Sequence, residues 1–346
     1  MPDQKEVTIY DIAKYLNLSA TTVSRGLKDH PTINKQTRKK IAEAALLLGY
    51  RSNTFASSLR SKRTNTIGVI VPRLNSQFMS GVLAAMEDTA SREGYNILIT
   101  QSLEKEEKEK VNANTLFNKR VDGLLISLAY DTKGIDHLQP FLDKKIPVVF
   151  FDRTWDEPRC TSVMIDNYKA AYEATKHLLD QGCRRIVHLG GNKERNVYAD
   201  RLRGYRHALR DAGVAYDEKL VRISQLLESA GPEAAAWILK MKPNNRPDAV
   251  FAANDTVAAH CMLALLKAGI RVPDEIAIAG FNNEPISRIV SPALTTVDYP
   301  GNHLGDAAMM SLIEHLNGVG GASSTNTIIL KSELIIRASS QKKGSL

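Results

Sequence analysis

The sequence predicts a protein of two fold classes: a small all-α head at the N-terminus and a larger α/β body in which strands alternate with helices. Three observations predict it. Residues 8–48 carry apolar side chains at helical spacing in three short runs. From Thr66 onward, short apolar runs alternate with amphipathic stretches. The charge changes at the same place: residues 1–65 hold twelve Lys/Arg against five acids, +7 of the chain's +8, so residues 66–346 carry only +1. A chain of 346 residues exceeds a comfortable single core, and 43% apolar with 24% charged residues is ordinary for a globular protein.

In the head, Thr8 and Asp11 stand at the spacing of a capping pattern, and a first helix runs through Ile12, Ala13 and Leu16. Asn17, Leu18 and Ser19 make a tight turn, with Ser19 as N-cap of a second helix over Ala20–Leu27. That helix has two faces. Val23 and Leu27 point to a core, while Ala20, Thr21, Ser24, Arg25 and Lys28 share the other side. A third helix, 35–48, follows Asn34, buries Ile41, Ala45 and Leu48, and stops at Gly49. Such a trio describes either a helix-turn-helix, with Arg25 placed to fork onto a guanine, or a generic three-helix bundle with a polar surface. Periodicity alone does not separate them, but concentrated positive charge suits a polyanion. Residues 53–63, NTFASSLRSKR, read alone as a flexible linker or a helix too short to stand by itself.

In the body, the strand runs are TIGVIV (66–71), NILIT (96–100), GLLISL (123–128), PVVFF (147–151), RIVHL (185–189), AVFAA (249–253) and IAIAGF (276–281). Helical stretches such as 78–92, 169–179 and 256–267 fill the gaps, which implies parallel sheets covered on both faces. The charge run EKEEKEK (104–110) is expected to be the solvated face of one helix. Ligands bind beyond the carboxyl ends of such strands. Those ends carry Arg73, Gln101, Asp152, Asn254 and Asn282, which outline a hydrogen-bonding cleft. Asp and Asn at strand ends also cap helices, and Asn254 and Asp255 compete for that task.

Other classes find little support. Cys160, Cys183 and Cys261 are scattered and lack metal-ligand spacing, which points to a reducing compartment; no metal or cofactor is expected. The start MPDQKEVTIY lacks the apolar core of a signal peptide and no segment approaches a membrane span, so a cytoplasmic protein is expected. No glycine-rich dinucleotide fingerprint opens a βα turn; Gly190-Gly191 alone is weak, and the eight histidines are dispersed. An enzyme is not expected.

The run VTIYDIAKYLNLSATTVSRGLKDHPTINKQTRKKIAEAALLLGY resembles, almost position for position, the DNA-binding head of the lac repressor family (LacI/GalR type). The resemblance extends through IILKSELIIRASS (328–340), nearly the whole chain. It implies an N-terminal helix-turn-helix head, 1–52, and a hinge helix, 53–65. It also implies a periplasmic-binding-protein-like body of two Rossmann-like lobes, 66–166 with 299–325 and 167–298 with 326–346, with crossovers near 166, 298 and 326. Ala20, Thr21 and Arg25 fall at base-reading positions; Thr8, Tyr10, Ser19, Thr22, Ser24 and Asn34 fit backbone-positioning roles. Asn53, Ala56 and Leu59 fall at hinge positions, Leu59 where the family places a wedging leucine.

In the body, YADRLRGYRHAL (198–209) matches the pattern in which an arginine three residues before a glycine holds the effector, here Arg201 before Gly204. Asp152, Arg201 and Asn254 then form the core effector site, with Asn75, Phe78, Gln101 and Arg153 as first-lobe contacts. Asn282 stands where many sugar-binding members carry aspartate, which tilts expectation toward an anionic, carbohydrate-derived effector such as a sugar phosphate or sugar acid. The partners implied are double-stranded operator DNA, that effector and a second copy of the chain. A dimer is expected rather than a tail-built tetramer, because GSL ends the sequence without a leucine heptad. The helix at 301–316 reads as core or subunit-facing. The competing reading is a sugar-binding receptor without DNA function.

Overall fold

Capping sets the limits of the head's helices. The structure, a computed structural model, describes residues 7–50, 63–318 and 326–342. The chain divides into two units, Met1–Thr64 and Asn65–Leu346. In the first, α1 (Ile9–Leu16) starts at Thr8, whose backbone N–H and hydroxyl both donate to the Asp11 carboxylate. It ends at Asn17, whose left-handed backbone (φ 53°) lets the Leu18 N–H return to the Ala13 carbonyl. Two residues later Ser19 caps α2 (Ala20–Leu27), its Oγ accepting from Thr22 N–H, and Asn34 caps α3 (Lys35–Leu47) through Thr37 N–H. Ile12, Val23 and Ile41 are wholly buried and, with Ala13, Ala44 and Ala45, make the core. Each of the three large side chains contributes about 1.5–3 kcal/mol. Leu48, expected inside, is half-buried as the C-cap of α3, and Ala44 takes the inward place.

The second unit holds two six-stranded sheets. The N-terminal lobe contributes β1 (Thr66–Val71), α4 (Gln77–Arg92), β2 (Asn96–Gln101), α5 (Glu106–Asn118), β3 (Gly123–Ile126), α6 (Gln139–Asp143), β4 (Val148–Phe151) and β5 (Thr161–Ile165). The C-terminal lobe contributes α7 (Asn167–Asp180), β6 (Ile186–Gly190), α8 (Asn196–Asp211), β7 (Val221–Ile223), α9 (Ala230–Leu239), β8 (Ala249–Ala252), α10 (Asp255–Lys267), β9 (Ala277–Phe281), α11 (Ile286–Ile289) and β10 (Thr295–Asp298). The chain then returns as α12 (Gly301–Leu316) to pack on α4, and ends with β11 (Thr327–Leu330) and β12 (Glu333–Ile335). The buried residues of α12 (Leu304, Ala308, Leu312) face the first lobe, so this side of it is core.

The first sheet runs β11-β5-β4-β3-β1-β2, all parallel; the second runs β12-β10-β9-β8-β6-β7, with β12 antiparallel to β10. Residues 326–346 therefore do not all belong to the C-terminal lobe, as the sequence suggested. β11 closes the first sheet beside β5, because Ile328 and Leu330 alternate inward onto its core, and the third crossing falls between Leu330 and Glu333. Nor are all strands covered on both faces. β2 is an edge strand paired only with β1, and it leaves Leu98 and Ile99 exposed.

Candidate functional site

On the head, α2 turns one polar face outward. Arg25 and Thr21 are exposed, and Arg25 makes no hydrogen bond or ion pair among the described residues, so its five donors are uncommitted. Ala20 is different: it is half-buried against the core formed by Ile12 and Val23, which limits what it offers a base. Ser24 is half-buried on the same helix. Thr8, Ser19, Thr22 and Asn34 are already tied up in caps, Ser19 Oγ lying 2.8 Å from Thr22 Oγ1. The three caps at Thr8, Ser19 and Asn34 put helix N-termini at the surface, where backbone amides favour phosphate. Tyr10 is 71% exposed beside the first cap. Asn53, Ala56 and Leu59 lie outside the described residues.

In the body, the strand ends converge on one cavity of about 390 Å3 between the lobes. Asn75, Phe78, Asp152, Arg153, Arg201, Asn254 and Asn282 all line it. Gln101 does not: its Oε1 accepts from Leu74 N–H and its carbonyl from Asn112 Nδ2, which hold it at the end of β2. Tyr198, Glu104, Glu284, Gln225 and Thr256 also line the cavity and were not foreseen.

Arg201 is 3% exposed. Its Nε donates to Asn167 Oδ1 at 2.9 Å and its Nη1 to the Ala253 carbonyl at 2.7 Å, while the guanidinium lies 3.6 Å from the Phe281 ring centroid. Its position is thus fixed before any ligand arrives, and Nη2 remains for one. Gly204, three residues on, has a separate purpose. A Cβ there would lie 2.3 Å from the Tyr168 carbonyl, so the glycine lets α7 and α8 pack closely and keeps Arg201 at the right depth.

Asp152, at the end of β4, is 8% exposed, with a long 3.5 Å contact from Ser127 Oγ and the Tyr299 hydroxyl beside it. Burial raises its carboxyl pKa, and Arg153 and Arg201 oppose that rise without cancelling it. Such a carboxylate has acceptor capacity to spare. Asn254 settles the competition for the α10 cap: its Oδ1 accepts from Val257 N–H, while Nδ2 donates to the Leu226 carbonyl. Asp255 is instead wholly buried, its Oδ2 accepting from Glu284 N–H.

Arg153 is not free to meet a ligand. Its two Nη atoms grip Glu104 at 2.6 and 3.2 Å, and Nη2 also donates to the Tyr198 hydroxyl. This corrects the expectation that 104–110 is simply a solvated face. Leu103 and Glu104 both take left-handed backbone (φ 51° and 64°), which turns Glu104 back into the cleft ahead of α5. Glu109 is buried too, accepting from Ala129 N–H and Thr132 Oγ1. Both carboxylates shape the 129–132 loop, because Glu104 also accepts from Tyr130 N–H.

That loop is where the lobes are tied. Tyr130 donates its hydroxyl to the Ser224 carbonyl and receives Asn192 Nδ2, and Arg195 Nη2 donates to the Thr132 carbonyl. Beside it, Asn196 Oδ1 accepts from Thr154 N–H while its Nδ2 donates to the Asp152 carbonyl. Asp152, Leu226 and Asn282 share the left-handed backbone of Glu104, so strained non-glycine residues gather around one cavity.

Asn282 does carry an amide into the cavity, but Glu284 stands two residues later and lines it as well. A carboxylate therefore lines the cavity two residues beyond the amide.

Comparison with known proteins agrees with this layout. Residues 8–53 match the family described as bacterial regulatory proteins, lacI family, and residues 175–340 match a periplasmic binding protein-like domain. Catabolite control protein A of Priestia megaterium is 32% identical over 312 residues, covering 90% of this chain and 93% of that protein. A solved complex of the transcriptional regulator CelR with cellobiose is 26% identical with a TM-score of 0.73, covering 96% of this chain and 100% of the other. The Lac repressor bound to ONPG is 25% identical with a TM-score of 0.84, covering 97% and 100%.

Proposed function

The chain belongs to the LacI family of DNA-binding transcriptional regulators, and from that premise we propose that it is an effector-gated repressor whose ligand sits between the two lobes. One observation carries the gating: Arg201, held rigidly by Asn167 and Ala253, faces the same cavity as the partner-poor carboxylate of Asp152. Groups fixed in advance and left with unspent hydrogen-bonding capacity are what a polar ligand needs. CelR holds cellobiose in its solved complex, and a hydroxylated, carbohydrate-derived effector suits the Asp152, Arg201, Asn254 and Asn282 set here.

The head reads the operator. Arg25 forks onto a base edge in the major groove, and the capped helix ends near Thr8, Ser19 and Asn34 hold phosphates. A pseudo-palindromic site requires two heads, hence a homodimer. The exposed apolar edge at Leu98 and Ile99 on β2 offers one surface for the second copy. Ligand alters the equilibrium between lobe arrangements, and DNA affinity changes only by the ligand's differential binding to those arrangements. A sugar receptor without DNA function leaves the capped, basic head unexplained. Among the described residues, no helix is long and apolar enough to cross a membrane.

A thermal-shift screen of sugars, sugar phosphates and sugar acids tests the cleft, since a bound ligand raises stability by mass action. Arg201→Lys should bind operator as the parent does and lose most of the response to the compound found. A normal response in that variant would remove Arg201 from the site.

A further inference from the structure

We propose that the C-terminal-lobe wall of the cleft is a cation subsite, in which Glu284 takes the ammonium group of an amino-substituted sugar. The proposal rests on the reading of the cleft as the effector site and names the class of ligand it selects.

Glu284 follows β9 and is 8% exposed, with its side chain lining the cavity. Its Oε2 accepts from Thr256 Oγ1 at 2.9 Å, and its Oε1 has only the Asn282 amide at 3.4 Å. No cation pairs with it among the described residues. Directly behind it lies a second carboxylate: Asp255 is wholly buried and accepts the Glu284 backbone N–H at 2.8 Å, with the Thr296 hydroxyl and the Phe281 N–H beside it. The nearby guanidinium of Arg337 donates to Ser287 Oγ, the Leu294 carbonyl and Asn283 Oδ1, and to neither acid. Two neighbouring buried acids without a paired cation form an unbalanced corner.

The rest of the cavity does not offset it. Arg153 is consumed by Glu104, Arg73 lies 3.9 Å from the same carboxylate, and Arg201 faces Asp152. Three arginines and four carboxylates line the cavity as a whole, and no lysine does. Of the helix ends that open onto it, those of α4 and α10 are capped by Ser76 and Asn254, while that of α8, at Val197 and Tyr198, has no side-chain cap and lies toward Arg201. Burial raises the pKa of both Glu284 and Asp255, the strain a ligand ammonium would relieve. An ammonium has three donors, and a charge-assisted bond to a desolvated carboxylate outweighs a neutral hydroxyl at the same place. A phosphate placed here meets Glu284 instead of a free cation.

The test uses the full chain and isothermal titration with glucosamine, galactosamine and mannosamine, each beside its parent hexose and its 6-phosphate. At least one amino sugar should bind about tenfold or more tightly than its parent, the worth of roughly one desolvated charged hydrogen bond. Its 6-phosphate partner should be the weakest of that set. Glu284→Gln keeps the shape and the Thr256 hydrogen bond, so it should melt no lower than the parent chain while binding amino sugar and hexose equally. Equal binding of amino sugar and parent by the unaltered chain, tightest binding of a phosphate, or binding of none of the nine overturns the proposal. So does an amino-sugar preference that survives in Glu284→Gln. A neutral hexose that binds at least as tightly as its amino sugar, and is lost in Asp152→Asn, would sink the cation subsite alone; indifference of every bound compound to Asp152→Asn and Arg201→Lys would sink the cleft reading itself.

Discussion

The head and the body keep their arginines in opposite conditions. Arg25 is exposed and uncommitted, on a helix whose capping bonds leave its side chain alone. Arg153 and Arg201 are buried and bound at several atoms, one by a carboxylate, the other by an amide oxygen and a carbonyl. The difference fits the partner proposed for each. A polyanion brings its own dense charge and is met by side chains that remain hydrated until contact. A small ligand must be enclosed, so the groups around it have to be oriented and neutralised beforehand. On the proposed function, the head holds recognition that contributes little to stability, whereas in the body recognition and stability draw on the same residues.

This contrast can be broken most forcefully at Glu104. Glu104→Ala leaves Arg153 buried without its carboxylate and should destabilise the body by about 3–5 kcal/mol, measured by urea unfolding. A loss no larger than that of a surface ion pair would mean that the Glu104–Arg153 contact bears no such weight. Arg25→Ala is the matching change in the head. It should leave the melting temperature unaltered and remove about 1–3 kcal/mol of discrimination between operator and unrelated DNA, read by fluorescence anisotropy across a salt series. Smaller still is Ser19→Ala, which removes the α2 cap and should cost the head about 1 kcal/mol, seen as a lower denaturant midpoint for the head.

The slightest effect is the dependence on pH. Burial raises the carboxyl pKa of Asp255, Glu284 and Asp152, so the folded chain retains protons that the unfolded chain has released. The stability linked to these groups is complete below the ordinary carboxylate range and is lost as pH rises through their raised values. Asp255→Asn, which can still accept the Glu284 N–H, should flatten that decline in a melting-temperature profile. An unchanged slope would assign the decline to other groups.

The same contrast explains how much could be read in advance. The head was legible because its determinants are local. Thr8 with Asp11, Ser19 with Thr22 and Asn34 with Thr37 are each three residues apart, and the two-faced pattern of α2 lies within eight residues. The body's apolar strands were equally plain. What escaped was buried polarity. β5 and β10 carry Thr161, Ser162, Thr295 and Thr296, which look like loop residues until partners such as the Arg337 carbonyl and Ser340 Oγ accept or share their hydroxyls. Glu104 and Arg153 are 49 residues apart, and no periodicity announces a pair that only the fold assembles. Glu284 is hidden for the same reason, since its partner Thr256 lies 28 residues away in the chain.

Selection of binding sites from a pool of random duplexes, performed with the full chain and with Arg25→Ala, tests the account most directly. The unaltered chain should enrich a pseudo-palindrome, and Arg25→Ala should lose preference at one base position in each half-site while the remaining positions stay enriched. A uniform weakening across all sequences, or enrichment of a site without two-fold symmetry, would contradict base reading by Arg25 in a dimer.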